Sequence, residues 1–255
     1  MSLSDTAWPE AWSAIYDAMD VDRSLHETFY AGLVTPNTRR LLDLGCGTGS
    51  ITLKIAAAME PGGTVVGVDL SPKMIEIANE VAPQHIWKVG DICAPEVDGP
   101  FDLIVICFHT VQMLLEERQL HQAFKAISGL LSPNGRFAFD IYQPNEDWLA
   151  NLDQAPYVAR QFTDAEGRDF DVVESNARYD TASRVLSGEW RLKDHETGRI
   201  LPVEPLIQRV RQYYPADIDR ALAGAGMVAV ESFGDLDRRP FAPGTKRQIY
   251  ICKRA

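Results

Sequence analysis

The sequence has few cysteines and no long apolar runs, and each shortage excludes a class of protein. Its four cysteines, Cys46, Cys93, Cys107 and Cys252, form no CxxC pair and have no histidine at metal-ligand spacing, so we expect neither a disulfide framework nor a zinc site. The longest apolar runs, such as 103–108, have the length of strands, whereas a membrane-spanning helix needs roughly 20 residues. We therefore expect no membrane partner.

Basic residues are also scarce: 25 lysines and arginines stand against 36 aspartates and glutamates, a net charge of −11. Because a phosphate backbone selects for basic faces, we expect no nucleic-acid partner. The opening residues, MSLSDTAWPEAW, have neither the basic start nor the apolar core of a secretory signal. These features favour a cytoplasmic protein, monomeric or homodimeric, whose partner is a small molecule.

Strand-like and helix-like segments alternate over residues 39–142, and continuous apolar runs such as FDLIVICF are typical of strands buried on both faces. This alternation predicts a parallel sheet covered by helices. Apolar and polar residues alternate within 145–213, which predicts an antiparallel β insertion. Helical patterns predict an N-terminal cap at 1–38, and residues 214–255 read as a closing helix and strands. We therefore predict one α/β domain over 1–255.

The strongest local signal is the segment DLGCGTG at 43–49. Glycines at 45, 47 and 49 directly after a strand let the backbone turn tightly and approach a ligand closely. A dinucleotide-binding loop would need glycine at position 50, which is Ser50, and no Lys-Ser or Lys-Thr pair follows to make a nucleoside-triphosphate loop. Taken alone, the segment could also be a plain strand-to-helix turn.

Two aspartates follow the next two predicted strands. Asp69 stands where a carboxylate can accept hydrogen bonds from both hydroxyls of a ribose. Asp91 stands where a carboxylate can hold an adenine amino group while Ile92 packs on the ring. Each aspartate alone could be a helix cap or a turn residue, but together with the glycine loop they point to one adenosine ligand.

The segments DLGCGTG, VVGVDLSPKMIEIAN, GDI and FDLIVICF resemble the successive motifs of the class I S-adenosylmethionine-dependent methyltransferases over about residues 39–142. The resemblance implies a doubly wound, mostly parallel seven-stranded Rossmann-like sheet with an antiparallel last strand, over which the β insertion forms a lid. It implies S-adenosylmethionine as cofactor, S-adenosylhomocysteine as product and no metal. The cofactor-binding residues predicted on this basis are Tyr16, Asp43, Gly45, Cys46, Gly47, Gly49, Asp69, Leu70, Met74, Asp91, Ile92 and Cys107.

The segment AIYDAMD, in which Tyr16 precedes Asp17, is similar to the N-terminal helices of small-molecule N-methyltransferases. In that group the tyrosine closes over the sulfonium, where a ring face or phenol oxygen favours the positive methyl group. The resemblance makes Tyr16 a predicted catalytic residue. The alternative is an amphipathic helix whose aromatic side chains only pack on the domain.

The segment CFHTVQML at 107–114 is predicted to face the reacting methyl group. It lacks the Asp/Asn-Pro-Pro-Phe/Tyr tetrapeptide of adenine and glutamine methyltransferases, and Met113 stands where amino-sugar enzymes tend to carry His or Tyr. His109 is the second predicted catalytic residue, because an imidazole with a pKa near neutrality can accept a proton from an amine or ring N–H. A histidine satisfied by backbone or a carboxylate is the alternative.

Substrate contacts are expected from this segment, from the end of the fifth strand and from the insertion. Because neighbouring strand residues point to opposite sides, Arg178 and Tyr179 cannot both face one pocket, nor can Trp190 and Arg191. The predicted substrate-binding residues are Phe108, His109, Gln112, Met113, Tyr142, Trp148, Arg178, Trp190 and Arg191.

The predicted function is methyl transfer from S-adenosylmethionine to a nitrogen of a small-molecule metabolite, such as a heteroaromatic or amine intermediate of natural-product synthesis. The resemblance implies in-line displacement at the methyl carbon, in which the protein supplies positioning and desolvation. A small-molecule O-methyltransferase and an amino-sugar N-methyltransferase stay open, as does a non-catalytic S-adenosylmethionine-binding module. Ser50 and Asp91 argue against a nicotinamide-dependent oxidoreductase.

Overall fold

A computed structural model describes residues 8–19 and 23–255. The predicted N-terminal cap includes residues 1–7 and 20–22, which lie outside the described part. The helices are α1 (Glu10–Ile15), α2 (Ser24–Ala31), α3 (Ser50–Ala57), α4 (Pro72–Val81), α5 (Glu117–Leu130), α6 (Glu146–Ala150) and α7 (Pro215–Gly224). The strands are β1 (Arg40–Leu44), β2 (Thr64–Asp69), β3 (Ile86–Val89), β4 (Phe101–Ile106), β5 (Leu131–Tyr142), β6 (Tyr157–Thr163), β7 (Asp169–Asp180), β8 (Val185–Asp194), β9 (Leu206–Arg211), β10 (Met227–Phe233) and β11 (Arg247–Arg254).

The first sheet has seven strands in the order β10-β11-β5-β4-β1-β2-β3. Strand β1 pairs in parallel with β2 and β4, and β3 and β5 continue the parallel pairing on either side. Strand β11 is antiparallel to both β5 and β10. The predicted doubly wound, mostly parallel seven-stranded sheet with an antiparallel last strand is confirmed.

Strand β4 shows why this sheet reads as continuous apolar runs. Ile104 and Ile106 pack into the core on one face of the sheet. Leu103 and Val105 pack into the core on the other face. Successive side chains of a strand point to opposite faces of the sheet, and both faces of this sheet are covered. Residues that point to either face therefore have to be apolar, which gives a continuous apolar run.

The second sheet has four strands in the order β6-β7-β8-β9, all pairs antiparallel, which confirms the predicted antiparallel insertion. One end of its inner face packs on the N-terminal segment, where Val172 and Leu192 lie in the same core as Trp12 and Met19. The indole Nε1 of Trp12 also donates to the carbonyl oxygen of Glu204 at 2.8 Å. The insertion is thus fixed to the N-terminal helix.

Among the described residues, none of the helices combines the length and the apolar character needed to cross a membrane.

Candidate active site

A cavity of about 680 Å³ lies at the carboxyl ends of β1, β2 and β4 and is covered by the inner face of the four-stranded sheet. Ligands of open α/β sheets bind at this edge, where the strand order reverses. The cavity wall includes most of the predicted site residues: Tyr16, Asp43, Gly45, Cys46, Gly47, Asp69, Leu70, Met74, Ile92, Cys107, Phe108, His109, Gln112, Met113, Tyr142, Trp148 and Trp190. The structure does not bring Gly49, Asp91, Arg178 or Arg191 to this wall.

The glycine loop needs glycine for both conformation and space. Gly45, Gly47 and Gly49 all have positive φ angles, of 79°, 56° and 84°. A Cβ on Gly45 would lie 2.5 Å from Cγ2 of Thr110, and one on Gly49 would lie 2.7 Å from the ring of Trp87. Gly49 directly precedes α3 and does not line the cavity.

Asp69 joins the loop to the end of β2. Its Oδ2 accepts from the amide of Gly47 at 2.9 Å, and its Oδ1 accepts from the amide of Ser71 at 2.9 Å. Burial raises the pKa of Asp69, although both amide bonds oppose the shift. The carboxylate stands in the cavity wall beside Leu70 and Met74.

Asp91 follows β3, but its carboxylate is engaged locally. Its Oδ1 accepts from the amide of Cys93 at 2.7 Å, which is the turn arrangement that the sequence left open as the alternative. Ile92 beside it does reach the cavity.

Asp43, at the end of β1, carries an unsatisfied oxygen. Its Oδ2 accepts from the Thr52 hydroxyl at 2.6 Å, whereas its Oδ1 is buried and has no hydrogen-bond partner among the described residues. Burial raises the pKa of Asp43 to about 7, and the nearby charge of Asp69 adds to the rise. A buried carboxylate with a free oxygen in a cavity wall is suited to bind a cationic group.

Tyr16 reaches the cavity from the residue after α1. The Arg23 guanidinium lies 4.9 Å from the centre of its ring, and burial raises the pKa of its phenol. The neighbouring Asp17 is ion-paired with Arg23 at 2.9 Å and accepts from the Thr48 hydroxyl at 3.0 Å. The N-terminal segment is thereby tied to the glycine loop, with Tyr16 over it.

The segment after β4 has a strained backbone. Phe108 and His109 have positive φ angles of 55° and 61°, which non-glycine residues rarely adopt. The amide of Phe108 donates to Asp140 Oδ1 at 3.2 Å, and the Thr110 hydroxyl donates to the carbonyl of Cys107 at 2.8 Å. Strain of this kind is typical of functional sites, where the surrounding structure holds the residue in place.

Asp140 on β5 was missed by sequence reasoning, and it organises this end of the cavity. Its carboxylate is fully buried and accepts from the Tyr30 hydroxyl at 2.5 Å. His26 Nε2 lies 3.4 Å and His109 Nδ1 3.2 Å from its Oδ2. Burial favours protonation of Asp140, but the two imidazoles and the Tyr30 hydroxyl hold its pKa at about 2. A lone acid in the apolar segment RFAFDIY is the signal that could have revealed it.

His109 differs from the prediction in its titration. Burial lowers the pKa of His109 to about 4, and the charge of Asp140 only partly offsets this. Its ring stacks on Tyr142 with centroids 3.5 Å apart. The imidazole is therefore neutral at neutral pH. The structure also brings together a set of metal-ligand atoms that the sequence did not reveal, since His26, His109 and Asp140 offer atoms within 4.8 Å of one another.

The cavity side of the four-stranded sheet forms what we call the roof: Arg160, Glu174, Leu186, Gly188, Trp190, Gln208 and Val210. Of these only Trp190 was predicted. Its Nε1 donates to Glu174 Oε2 at 3.0 Å, and the Tyr157 hydroxyl donates to the same oxygen at 2.9 Å. The Arg160 guanidinium lies 5.7 Å from the Trp190 ring centre.

Two predicted substrate residues lie away from the cavity. Arg191 is on the outer face of β8, where its side chain is 44% exposed and ion-paired with Glu189. A β-bulge between Ser175 and Arg178 shifts the alternation of β7, and Arg178 lines a separate surface pocket.

Gln112 is in the cavity wall, but its side chain also serves the fold. Its Oε1 accepts from the amide of Tyr142 at 2.9 Å, and its Nε2 donates to the carbonyl of Arg211 at 3.2 Å. Tyr142 and Trp148 are about half exposed, at 50% and 53%, and lie at the rim. Met113 lines the same wall.

Comparison with known proteins adds to this geometry. Residues 41–135 match the family model described as a methyltransferase domain. A candidate methyltransferase of Bacillus subtilis, YqeM, is 27% identical over 183 residues, 66% of this chain and 70% of that protein. The dTDP-3-amino-3,6-dideoxy-alpha-D-glucopyranose N,N-dimethyltransferase of Streptomyces fradiae is 25% identical over 151 residues, 59% of this chain and 56% of that protein.

Two solved structures share the fold over almost the whole chain. The methyltransferase CcbJ from Streptomyces caelestis has a TM-score of 0.78 at 22% identity and covers 100% of this chain and 98% of that one. CalS10, an amino pentose methyltransferase from Micromonospora echinaspora with S-adenosylmethionine bound, has a TM-score of 0.72 at 22% identity and covers 97% and 98%.

Proposed function

We propose that this chain, a class I S-adenosylmethionine-dependent methyltransferase, transfers the methyl group to a nitrogen of a small-molecule metabolite. The observation that carries the proposal is one continuous, covered cavity, which runs from Gly47 and Asp69 to His109 and the roof. Its volume of about 680 Å³ is in the range of small-molecule sites. Both ligands would therefore be enclosed together.

We assign residues of the cofactor half of the cavity to three parts of S-adenosylmethionine. In the proposed arrangement Asp69 accepts from the ribose hydroxyls and Asp43 Oδ1 binds the ammonium group of the methionine part. Tyr16 covers the sulfonium, whose positive charge a ring face favours. The bound sulfonium supplies an already activated methyl carbon. The chain's own residues then have to align the acceptor and exclude water.

The acceptor half combines flat aromatic walls with unsatisfied polar atoms. Tyr142 and Trp190 line this half of the cavity, and aromatic side chains suit a ring-shaped acceptor. Gln143 Oε1 and Arg247 Nε are buried in the same wall without a hydrogen-bond partner among the described residues. We propose that they hold polar substituents of the acceptor, while His109 contacts the acceptor beside the reacting nitrogen.

The nitrogen target is supported by relatives whose names state amine substrates. One is the amino-sugar N,N-dimethyltransferase and another the amino pentose methyltransferase described above. The roof also presents the carboxylate of Glu174, which suits a neutral or cationic acceptor.

The test is a panel of matched acceptors in which an amine or ring nitrogen is exchanged for a hydroxyl on the same skeleton. Formation of S-adenosylhomocysteine is measured with each pair. We expect turnover with nitrogen members and little with their hydroxyl partners. Turnover restricted to the hydroxyl members would overturn the nitrogen assignment.

A further inference from the structure

We propose that His26, His109 and Asp140 form a binding site for a divalent transition-metal ion at the acceptor end of the cavity. The three residues come from α2, from the turn after β4 and from β5. His26 Nε2 and His109 Nδ1 both face Asp140 Oδ2, and each of the three residues offers a ligand atom within 4.8 Å of the others.

The spacing of these atoms fits a coordination sphere. Zinc-type ions bind histidine nitrogen and carboxylate oxygen at about 2.0–2.1 Å, so two ligands of a tetrahedral site lie about 3.3 Å apart. Asp140 Oδ2 lies 3.4 Å from His26 Nε2 and 3.2 Å from His109 Nδ1. Both edges that involve the carboxylate therefore match without movement of the backbone.

Two of the three proposed ligand residues lack partners that would compete with a cation. His109 Nδ1 is buried and makes no hydrogen bond to any described residue, although it points at Asp140. Asp140 has no Lys or Arg partner within 4.0 Å among the described residues, and Arg247 is paired with Asp235 at 2.6 Å. Buried carboxylates in proteins are usually paired with a cation or coordinate a metal ion, and a metal ion between the two imidazoles would take that place.

The other oxygen of the Asp140 carboxylate is held by hydrogen bonds, as is usual for a carboxylate that binds a metal ion. Asp140 Oδ1 accepts from the Tyr30 hydroxyl at 2.5 Å and from the Phe108 amide at 3.2 Å. These bonds fix the carboxylate so that Oδ2 faces the two imidazoles. Such outer partners orient ligands and raise affinity in known metal sites.

The donor set indicates the class of ion. Two imidazole nitrogens and one carboxylate oxygen suit Zn²⁺, Co²⁺, Ni²⁺ or Fe²⁺ rather than Mg²⁺ or Ca²⁺, which prefer oxygen ligands. His26 and His109 both border the cavity, so a remaining coordination position can face it. That the position takes a donor atom of the acceptor rests on the proposed function, whereas ion binding itself does not.

The experiment titrates chelator-treated protein with Zn²⁺ by calorimetry and with Co²⁺ by visible absorption, without cofactor or acceptor. We expect one ion per chain and a tetrahedral-type cobalt spectrum. Asp140→Asn and His26→Gln are each expected to weaken binding by more than the roughly 10–100-fold that loss of an outer partner costs. His195→Gln is the matched control, because His195 forms a His–carboxylate pair with Asp171 at 2.8 Å elsewhere and should bind normally.

Binding of S-adenosylhomocysteine distinguishes a variant that has lost only the metal site from a variant that does not fold. The folded variants should retain this binding. Equal ion uptake by the wild type, Asp140→Asn and His26→Gln would overturn the proposal, as would no uptake by the wild type. Normal ion binding by a protein that methylates no nitrogen would instead count against the proposed function alone.

Discussion

The amide of Gly47 donates to Asp69 Oδ2 at 2.9 Å, so that the ends of β1 and β2 are joined through the carboxylate at the floor of the cavity. The bond fixes one carboxylate oxygen and aligns the glycine loop with the wall formed by Leu70 and Met74. The cofactor half of the proposed site depends on this relationship, since the same side chain is to bind the ribose.

Asp69→Ala should abolish cofactor binding, because it removes both the ribose acceptor and the bond to the loop. We expect affinity for S-adenosylhomocysteine to fall by about 100-fold or more, since hydrogen bonds to a charged group each contribute about 1.5–3 kcal/mol. Titration calorimetry measures the loss. Glu76→Ala, which removes an exposed carboxylate of α4, is the control, and equal affinity in the two variants would contradict the ribose assignment.

Gly45→Ala should destabilise the protein by more than the cost of placing an alanine at a positive φ angle. Its Cβ would meet Thr110 Cγ2 at 2.5 Å, whereas Gly62, with φ 86°, has open space around it. We expect the free energy of unfolding to fall by about 1–3 kcal/mol more in Gly45→Ala than in Gly62→Ala. Urea unfolding gives both values. Adding Thr110→Ser should recover part of the difference, and identical losses at the two glycines would speak against a close-packed loop.

Stability should depend on pH through Asp43. Its folded pKa of about 7 lies above the ordinary value of 3.8, so the folded protein holds a proton that the unfolded chain releases. This contribution to stability is complete below about pH 4 and is lost as the pH rises through about 7. Asp43→Asn cannot ionise and should lack that decline. Urea unfolding between pH 4 and 8 would contradict the account if both proteins lost stability in parallel.

Trp190→Ala should affect the acceptor and spare the cofactor. Trp190 lies in the roof, whereas Arg191 next to it points outward. We expect KM for the acceptor to rise about tenfold or more, equivalent to about 1.4 kcal/mol of binding, with unchanged affinity for S-adenosylhomocysteine. Arg191→Ala should leave both values within twofold or so of the wild type. A larger effect at Arg191 would place the acceptor elsewhere.

The parts of the site that the sequence predicted are local. Asp43, Gly45 and Gly47 lie within one turn, and Asp69 ends the next strand, so each position follows from strand ends that must meet at one edge of a parallel sheet. The fold followed from the same pattern, because buried parallel strands and an exposed antiparallel sheet leave different periodicities.

The missed parts depend on distant contacts or on irregular backbone. Asp140 meets His26 across 114 positions, and no local pattern announces that pairing. The bulge before Arg178 changes which side the following residues of β7 face, and the sequence does not show where such a bulge falls. The pKa of His109 depends on how deeply its ring is buried, which is a property of the folded chain.

The most direct test of the proposed methyl transfer supplies S-adenosylmethionine labelled with ¹³C in its methyl group to the protein and a small-molecule metabolite extract. The products are examined by carbon NMR and mass spectrometry. We expect label on a nitrogen of a small molecule, with loss of the signal in Asp69→Ala. Label found only on oxygen would contradict the proposed nitrogen acceptor.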